Sequence, residues 1–379
     1  MFYLPIVGNR EQIMAGMAGT KEELYQQMLH DISAQAQLAD TLGYDSMSFT
    51  EHHLHIEGFE VSNNPVLLDL YVDMQTKNLR VGQLGIVLPA QNPLRVAEDI
   101  AMLDHMTNGR ANAGFARGYQ RRWVDIYAQQ THGISGAMPS EHDEIDATNR
   151  EAFEENFRIV KQAWTQELMS TQGRYWEIPR AGTPWDLDAS KQYGRGSENG
   201  ILKAVGVVPK PLQKPHPPIF QPFASSENSI RWCAREGVTA ILPPVHPNLE
   251  RKLFEMYAEE SGRSLGDGIG YLRDLIIADT DEQARELWAQ SAGFVGAAWF
   301  APFGFNKGMA GTVDTVKRQL EKMRERLPVN WVFAWMYNGV LENSVLLNTI
   351  EKFGARYRRI DRGAQPGWTG RGARQTCCA

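Results

Sequence analysis

Eight short apolar runs, each followed by a stretch with helical periodicity or by a longer connection, constrain this chain of 379 residues more than any other feature. Phe2–Val7, Asp45–Thr50, Leu79–Leu88, Ala111–Phe115, Ile219–Pro222, Val238–Leu242, Tyr271–Ala278 and Trp331–Met336 read as strands. Between them the apolar period changes. Thr20 and Glu23 have the spacing of a capping box, and Leu24, Met28, Ile32, Ala36 and Ala39 then recur at helical spacing until Gly43 stops the helix. Asn92-Pro93 opens another helix with its proline in the tolerated first turn; Val96, Ile100 and Leu103 share one face, and Gly109 ends it. Further helices are expected over Val66–Thr76, up to about Met169, and over Ser226–Arg235, Pro247–Glu260, Asp281–Gly296, Thr312–Arg326 and Glu342–Arg358. Eight strands alternating with helices predict an α/β protein, a parallel (β/α)8 TIM barrel.

Three stretches are too long for plain barrel connections. Residues 128–145 are polar and contain glycine, residues 171–217 hold glycines and prolines and are expected to contain a hairpin, and residues 299–311 are aromatic and rich in glycine. Trp299, Phe300, Phe303 and Phe305 in the last of these suggest a flap over something apolar, or core beneath a long loop. Residues 1–360 therefore read as one barrel with insertions, and 361–379 as a disordered tail. A formal net charge of -6 and a pI near 5.9 give no bulk attraction to nucleic acid or to an anionic membrane surface. No run is apolar enough to span a bilayer. The start of the chain lacks a signal-peptide pattern, and Cys233, Cys377 and Cys378 form neither a disulfide framework nor a spaced zinc site, so a cytoplasmic protein is expected.

In a barrel the reacting groups sit where strands end. The second strand ends in Glu51-His52-His53-Leu54-His55, the fourth runs into Arg117-Gly118-Tyr119, and the fifth is followed by Ser225-Ser226 with Ser229 one turn on. Two chemistries compete for these groups. His53 and His55 could share one face of an extended segment and begin a metal site. Later strand ends offer only His246, and the eighth ends in Tyr337-Asn338 without an acid, so no metal is assigned. Alternatively, Arg117 holds a phosphate in a bidentate fork and the serine-led helix tip supplies free amides, on adjacent strands. Each residue also has a plainer reading: His52 as a satisfied core histidine, Arg117 as a salt-bridge partner, Ser226 and Ser229 as helix caps. Glu51 is either an acid–base group or the orienter of a histidine.

The order of motifs bears on all of these readings. Thr50-Glu51-His52-His53, Phe59, Asn64-Pro65, Val81-Gly82, Ile86-Val87-Leu88-Pro89, Asn92 to Asp99, Leu103-Asp104-His105-Met106, Gly109-Arg110, Ala116-Arg117-Gly118 and Trp232 to Gly237 resemble the bacterial luciferase-like family of flavin-dependent monooxygenases, the alkanal monooxygenase alpha chain in particular. The resemblance runs over roughly residues 1–358, outside the insertions. It implies a barrel that takes reduced FMN (FMNH2) from a separate NAD(P)H-dependent flavin reductase, forms a flavin hydroperoxide with O2 and oxygenates a small organic substrate, in a homodimer. His52 would then be catalytic, with a pKa near neutrality, and Arg117 would be the phosphate clamp, beside Gly118 and Tyr119. Ser225, Ser226 and Ser229 would be further phosphate partners, and a cis peptide at Leu84-Gly85 would lie under the flavin ring. Glu51, His55, Trp299, Phe300 and Phe303 would border the substrate. Ala116 and Ser225 replace a cysteine and an acid of the luciferase chain, which leaves light emission open. Two alternatives accompany this reading: F420-dependent hydride transfer on the same fold, and a non-catalytic flavin-binding or partner subunit.

Overall fold

The computed structural model describes residues 1–130, 133–138, 144–300, 308–337 and 339–357. Phe303, Phe305, Asn338 and the tail 361–379 lie outside the described residues.

Strands β1 (Phe2–Leu4), β2 (Ser46–Phe49), β3 (Arg80–Gln83), β4 (Ala111–Ala116), β5 (Ile219–Gln221), β6 (Thr239–Leu242), β7 (Ile269–Ile277) and β8 (Trp331–Tyr337) pair in chain order, all parallel. The ring closes where Phe2 of β1 lies opposite Trp335 of β8. A closed ring leaves no unpaired edge, which is how a parallel sheet with helices on its outside solves its hydrogen-bonding problem.

Side-chain alternation divides the core. Phe2, Leu4, Phe220, Ile241, Leu272, Phe333 and Trp335 pack into one apolar cluster. Tyr3, Leu275, Ala334 and Met336, the other phase of the same strands, pack in a second cluster with Met47, Phe49 and Val81 and with Met28, Ile32 and Ala36 of helix α1 (Glu22–Leu42). The later helices are α2 (Pro65–Asp73), α3 (Pro93–Met106), α4 (Glu144–Thr165), α5 (Glu227–Glu236), α6 (Pro247–Ser261), α7 (Asp281–Trp288), α8 (Val313–Arg326) and α9 (Asn343–Tyr357).

Local chemistry departs from the sequence reading in three places. The capping box at Thr20 and Glu23 does not form: Lys21 caps α1 without a side-chain bond, while the Thr20 hydroxyl donates to Met17 O at 2.8 Å and closes a separate turn. The third apolar run is two strands, β3 and the short Ile86–Val87, interrupted by a cis peptide at Leu84-Gly85, the position the resemblance implied. Gly85 has no alternative there, because a Cβ would fall 2.6 Å from Phe115 N on β4. The long stretch before β5 holds two short hairpins, 171–178 and 197–202, where one was expected.

Candidate active site

The loop after β2 is tied to the segment that follows β1 and closes on itself. Val7 N donates to Gly58 O at 2.9 Å, Val61 N to Pro5 O at 2.8 Å and His52 N to Ser62 O at 3.0 Å. Inside this loop the polar residues sort themselves by partner. Glu51 accepts from Val87 N at 2.6 Å and from the Gln91 side chain at 2.5 Å, and its Oε1 lies 3.1 Å from His53 Nε2. It therefore binds the loop to the end of the third strand and fixes His53, which also packs on Trp123 and Tyr127.

His52 faces differently. Its Nδ1 is 3.0 Å from Thr50 Oγ1, and its Nε2 is 3.4 Å from Oε1 of Glu60. Burial pushes this imidazole well below the usual histidine range, with His55 and His53 adding to the effect. The near-neutral value expected from sequence is not what the fold provides, because too little water reaches the ring to solvate its charged form. His55 bonds the Phe59 carbonyl through Nδ1 at 2.8 Å, and burial lowers it to about 4.

On the next wall, Arg117 is the first residue past β4. Its Nη1 lies 2.6 Å from Asp146 Oδ1 of α4, and Arg150, one turn further along α4, reaches the same carboxylate at 3.6 Å. Gly118 is needed for two reasons: its φ is +79°, and a Cβ would sit 2.4 Å from Val87 Cγ1. The Tyr119 hydroxyl accepts from the Gln120 amide at 2.8 Å.

Because β4 pairs with β5, Arg117 stands beside the start of α5. Ser226 caps that helix, accepting from Ser229 N at 3.2 Å and donating to Ser229 Oγ at 2.9 Å. That cap takes the Ser229 amide; the amides of Glu227 and Asn228 before it have no partner inside the helix and carry its positive dipole end, as an anion site requires.

These walls enclose a cavity of about 470 Å³, within the range of small-molecule sites. Of the sequence candidates, Glu51, His52, Leu84, Gly85, Arg117, Gly118, Tyr119, Ser225, Ser226, Ser229 and Phe300 line it. His53, His55 and Trp299 are not on its wall. Trp299 stacks on Phe59 at 5.1 Å, meets His55 edge-on at 5.1 Å and donates from Nε1 to Glu60 Oε2 at 2.6 Å. Sequence reasoning gave no role to Glu60, Asp146, Arg150, Trp123, Phe223 or Pro243 to Val245, all on the wall. Asp146 and Arg150 stand four residues apart in the sequence, but nothing there said that they share a helix face turned to Arg117. Among the described residues no group of three or more His, Cys, Asp or Glu could hold a metal ion.

A family model described as luciferase-like monooxygenase matches residues 12–331. The chain belongs to the luciferase-like monooxygenase family. Among its relatives, the oxygenase component of a flavin-dependent trigonelline monooxygenase from Acinetobacter baylyi is 25% identical over 271 residues, 70% of this chain and 63% of that one. The match thus spans less than two thirds of that relative. Monooxygenase RslO1 from Streptomyces bottropensis superposes with a TM-score of 0.70 at 19% identity, covering 93% of this chain and 97% of that one. The oxygenating constituent of 3,6-diketocamphane monooxygenase from Pseudomonas putida, a type II Baeyer-Villiger enzyme solved with FMN, superposes with 0.68 at 19% identity, covering 87% and 92%. At such identities the structural likeness is one of fold.

Proposed function

We propose that this luciferase-like monooxygenase binds FMN in the cavity at the barrel mouth, receives it as FMNH2 from a separate NAD(P)H-dependent flavin reductase, and uses O2 to oxygenate a small organic substrate. The observation that carries the reading is the meeting of Arg117 and the Ser226-capped tip of α5 on the wall of the cavity that His52 also lines. The Acinetobacter relative's name as an oxygenase component and the FMN in the Pseudomonas structure support the cofactor and its external supply.

The residues present fit such a group. A phosphate monoester needs charged and neutral donors converging from two directions. Arg117 supplies a guanidinium, Ser226 and Ser229 hydroxyls, and α5 its free amides. A flat ring needs a wall that approaches closely, and Leu84-Gly85 provides backbone with no side chain at the second position. When bound, reduced FMN supplies the two electrons that activate O2. The chain's share is to bind and orient, to exclude water and to manage protons. Trp123, Phe223, Pro243, Pro244 and Phe300 line the cavity with apolar surface. The His52 imidazole, kept neutral by burial, can accept a proton at one ring nitrogen while the other is held.

The test is isotopic. Purified chain given FMNH2, 18O2 and a panel of candidate substrates should put one labelled oxygen into product, without any second subunit. Turnover under anaerobic conditions with F420, and none with FMNH2 and O2, would replace this reading with hydride transfer.

A further inference from the structure

We propose that Glu60 is the proton partner of His52, a positioning residue that fixes the imidazole's tautomer and holds the proton it exchanges. The proposal deepens the function proposed for His52 and rests on it.

Glu60 is 1% exposed and has a backbone φ of +50°, the left-handed region that a non-glycine residue enters only at a cost. The bonds from Val7 to Gly58 and from Val61 to Pro5 bracket it and hold that conformation from the end of β1. The result is a carboxyl turned inward among donors instead of outward to water.

Its two oxygens have different partners. Oε2 accepts from Gln120 Nε2 and from Trp299 Nε1, both at 2.6 Å. An amide and an indole do not exchange protons with a carboxyl near neutral pH, so they orient it. Oε1 faces His52 Nε2 at 3.4 Å, and His52 Nδ1 is engaged by Thr50, whose hydroxyl lies 3.0 Å from Ser62 Oγ. Oε1 and Nε2 thus face one another at ion-pair distance, and among the described residues no other hydrogen bond reaches either atom. The exchange needs no co-reactant: one proton moves between Oε1 and Nε2, and because burial disfavours the imidazolium it rests on Glu60 beside a neutral ring.

The neighbours that could compete are accounted for. His55 Nδ1 is 3.7 Å from Oε2 but is committed to Phe59 O, and His53 is held by Glu51. Arg122 pairs with Glu57 at 2.7 Å, and its charge favours the Glu60 carboxylate from a distance. The Tyr119 hydroxyl is bonded by the Gln120 amide and is pushed far up by burial, so it stays neutral. Burial is the largest influence on Glu60, raising it to about 7, against the two donors and Arg122. The acid therefore changes state in the range where the enzyme would work.

The test is 15N NMR of histidine-labelled protein, with His52 assigned by its loss in His52→Gln. In the intact chain the His52 ring nitrogens should show an inflection near pH 7. Glu60→Gln, which keeps shape and loses the titrating proton, should abolish it. Trp299→Phe, which removes a donor to the charged form, should move it to higher pH. In turnover, Glu60→Gln should lose the matching inflection in the kcat profile with FMN affinity unchanged. A flat His52 trace in the intact chain, an inflection that survives Glu60→Gln, or one unmoved in Trp299→Phe overturns the proposal. The NMR traces need no turnover, so they stand or fall separately from the monooxygenase reading.

Discussion

Arg117 and Asp146 are in contact, guanidinium nitrogen to carboxylate oxygen at 2.6 Å, across 29 residues of sequence. An anion at Arg117 must therefore share or displace that carboxylate. Arg117→Ala should weaken FMN binding by about 1.5–3 kcal/mol, the worth of a charged hydrogen bond, measured by fluorescence titration. Asp146→Asn should do the opposite and tighten binding by about 1 kcal/mol, since a competing negative charge leaves the site. Equal affinities in all three proteins would count against the clamp.

His52→Ala is expected to separate binding from chemistry. FMN affinity should change less than about threefold, while oxygenated product per flavin oxidised falls by roughly 10²–10⁴, the usual range for losing a positioned acid–base group. Unchanged product yield would remove His52 from the mechanism.

Ser226 should show two effects. As the cap of α5 its replacement by alanine should cost about 1 kcal/mol of stability, read by urea unfolding. As a phosphate partner its loss should also weaken FMN in the fully folded protein. A stability loss with unaltered FMN affinity would leave it a cap alone.

Stability should depend on pH through the same loop. Glu60 has its carboxyl raised from 4.5 to about 7, so the fold holds a proton the unfolded chain gives up. Its contribution is complete below pH 4.5 and is lost as pH rises to 7, by about 3 kcal/mol in all. His55 works in the other direction. It is lowered from 6.5 to about 4, so its contribution is present above pH 6.5 and lost as pH falls toward 4. Glu60→Gln should accordingly gain stability relative to the intact chain between pH 4.5 and 7, and hold that gain above it. Parallel stability curves for the two proteins would contradict this.

Much of this was legible in the sequence because barrels write it there. Each β-strand is a short apolar run, and the residues just past its carboxyl end form the active face, so Glu51, His52, Arg117 and Ser226 could be named from position. The break in the third run could be placed at Leu84-Gly85 only from the resemblance. The hidden parts depend on long-range meetings. Glu60 owes its role to a positive φ and to Gln120 and Trp299 arriving from elsewhere, none of which leaves a mark in a local pattern. The side chain of Trp299 points to the same limit: its aromatic context suggested a lid, and the fold uses its indole N–H to hold Glu60.

The most direct measurement is a crystal structure with FMN bound. We expect its phosphate between Arg117 and the Ser226–Ser229 turn of α5, its ring against Leu84-Gly85, and His52 beside the ring. A phosphate elsewhere, or a ring held away from His52, would contradict the proposed function.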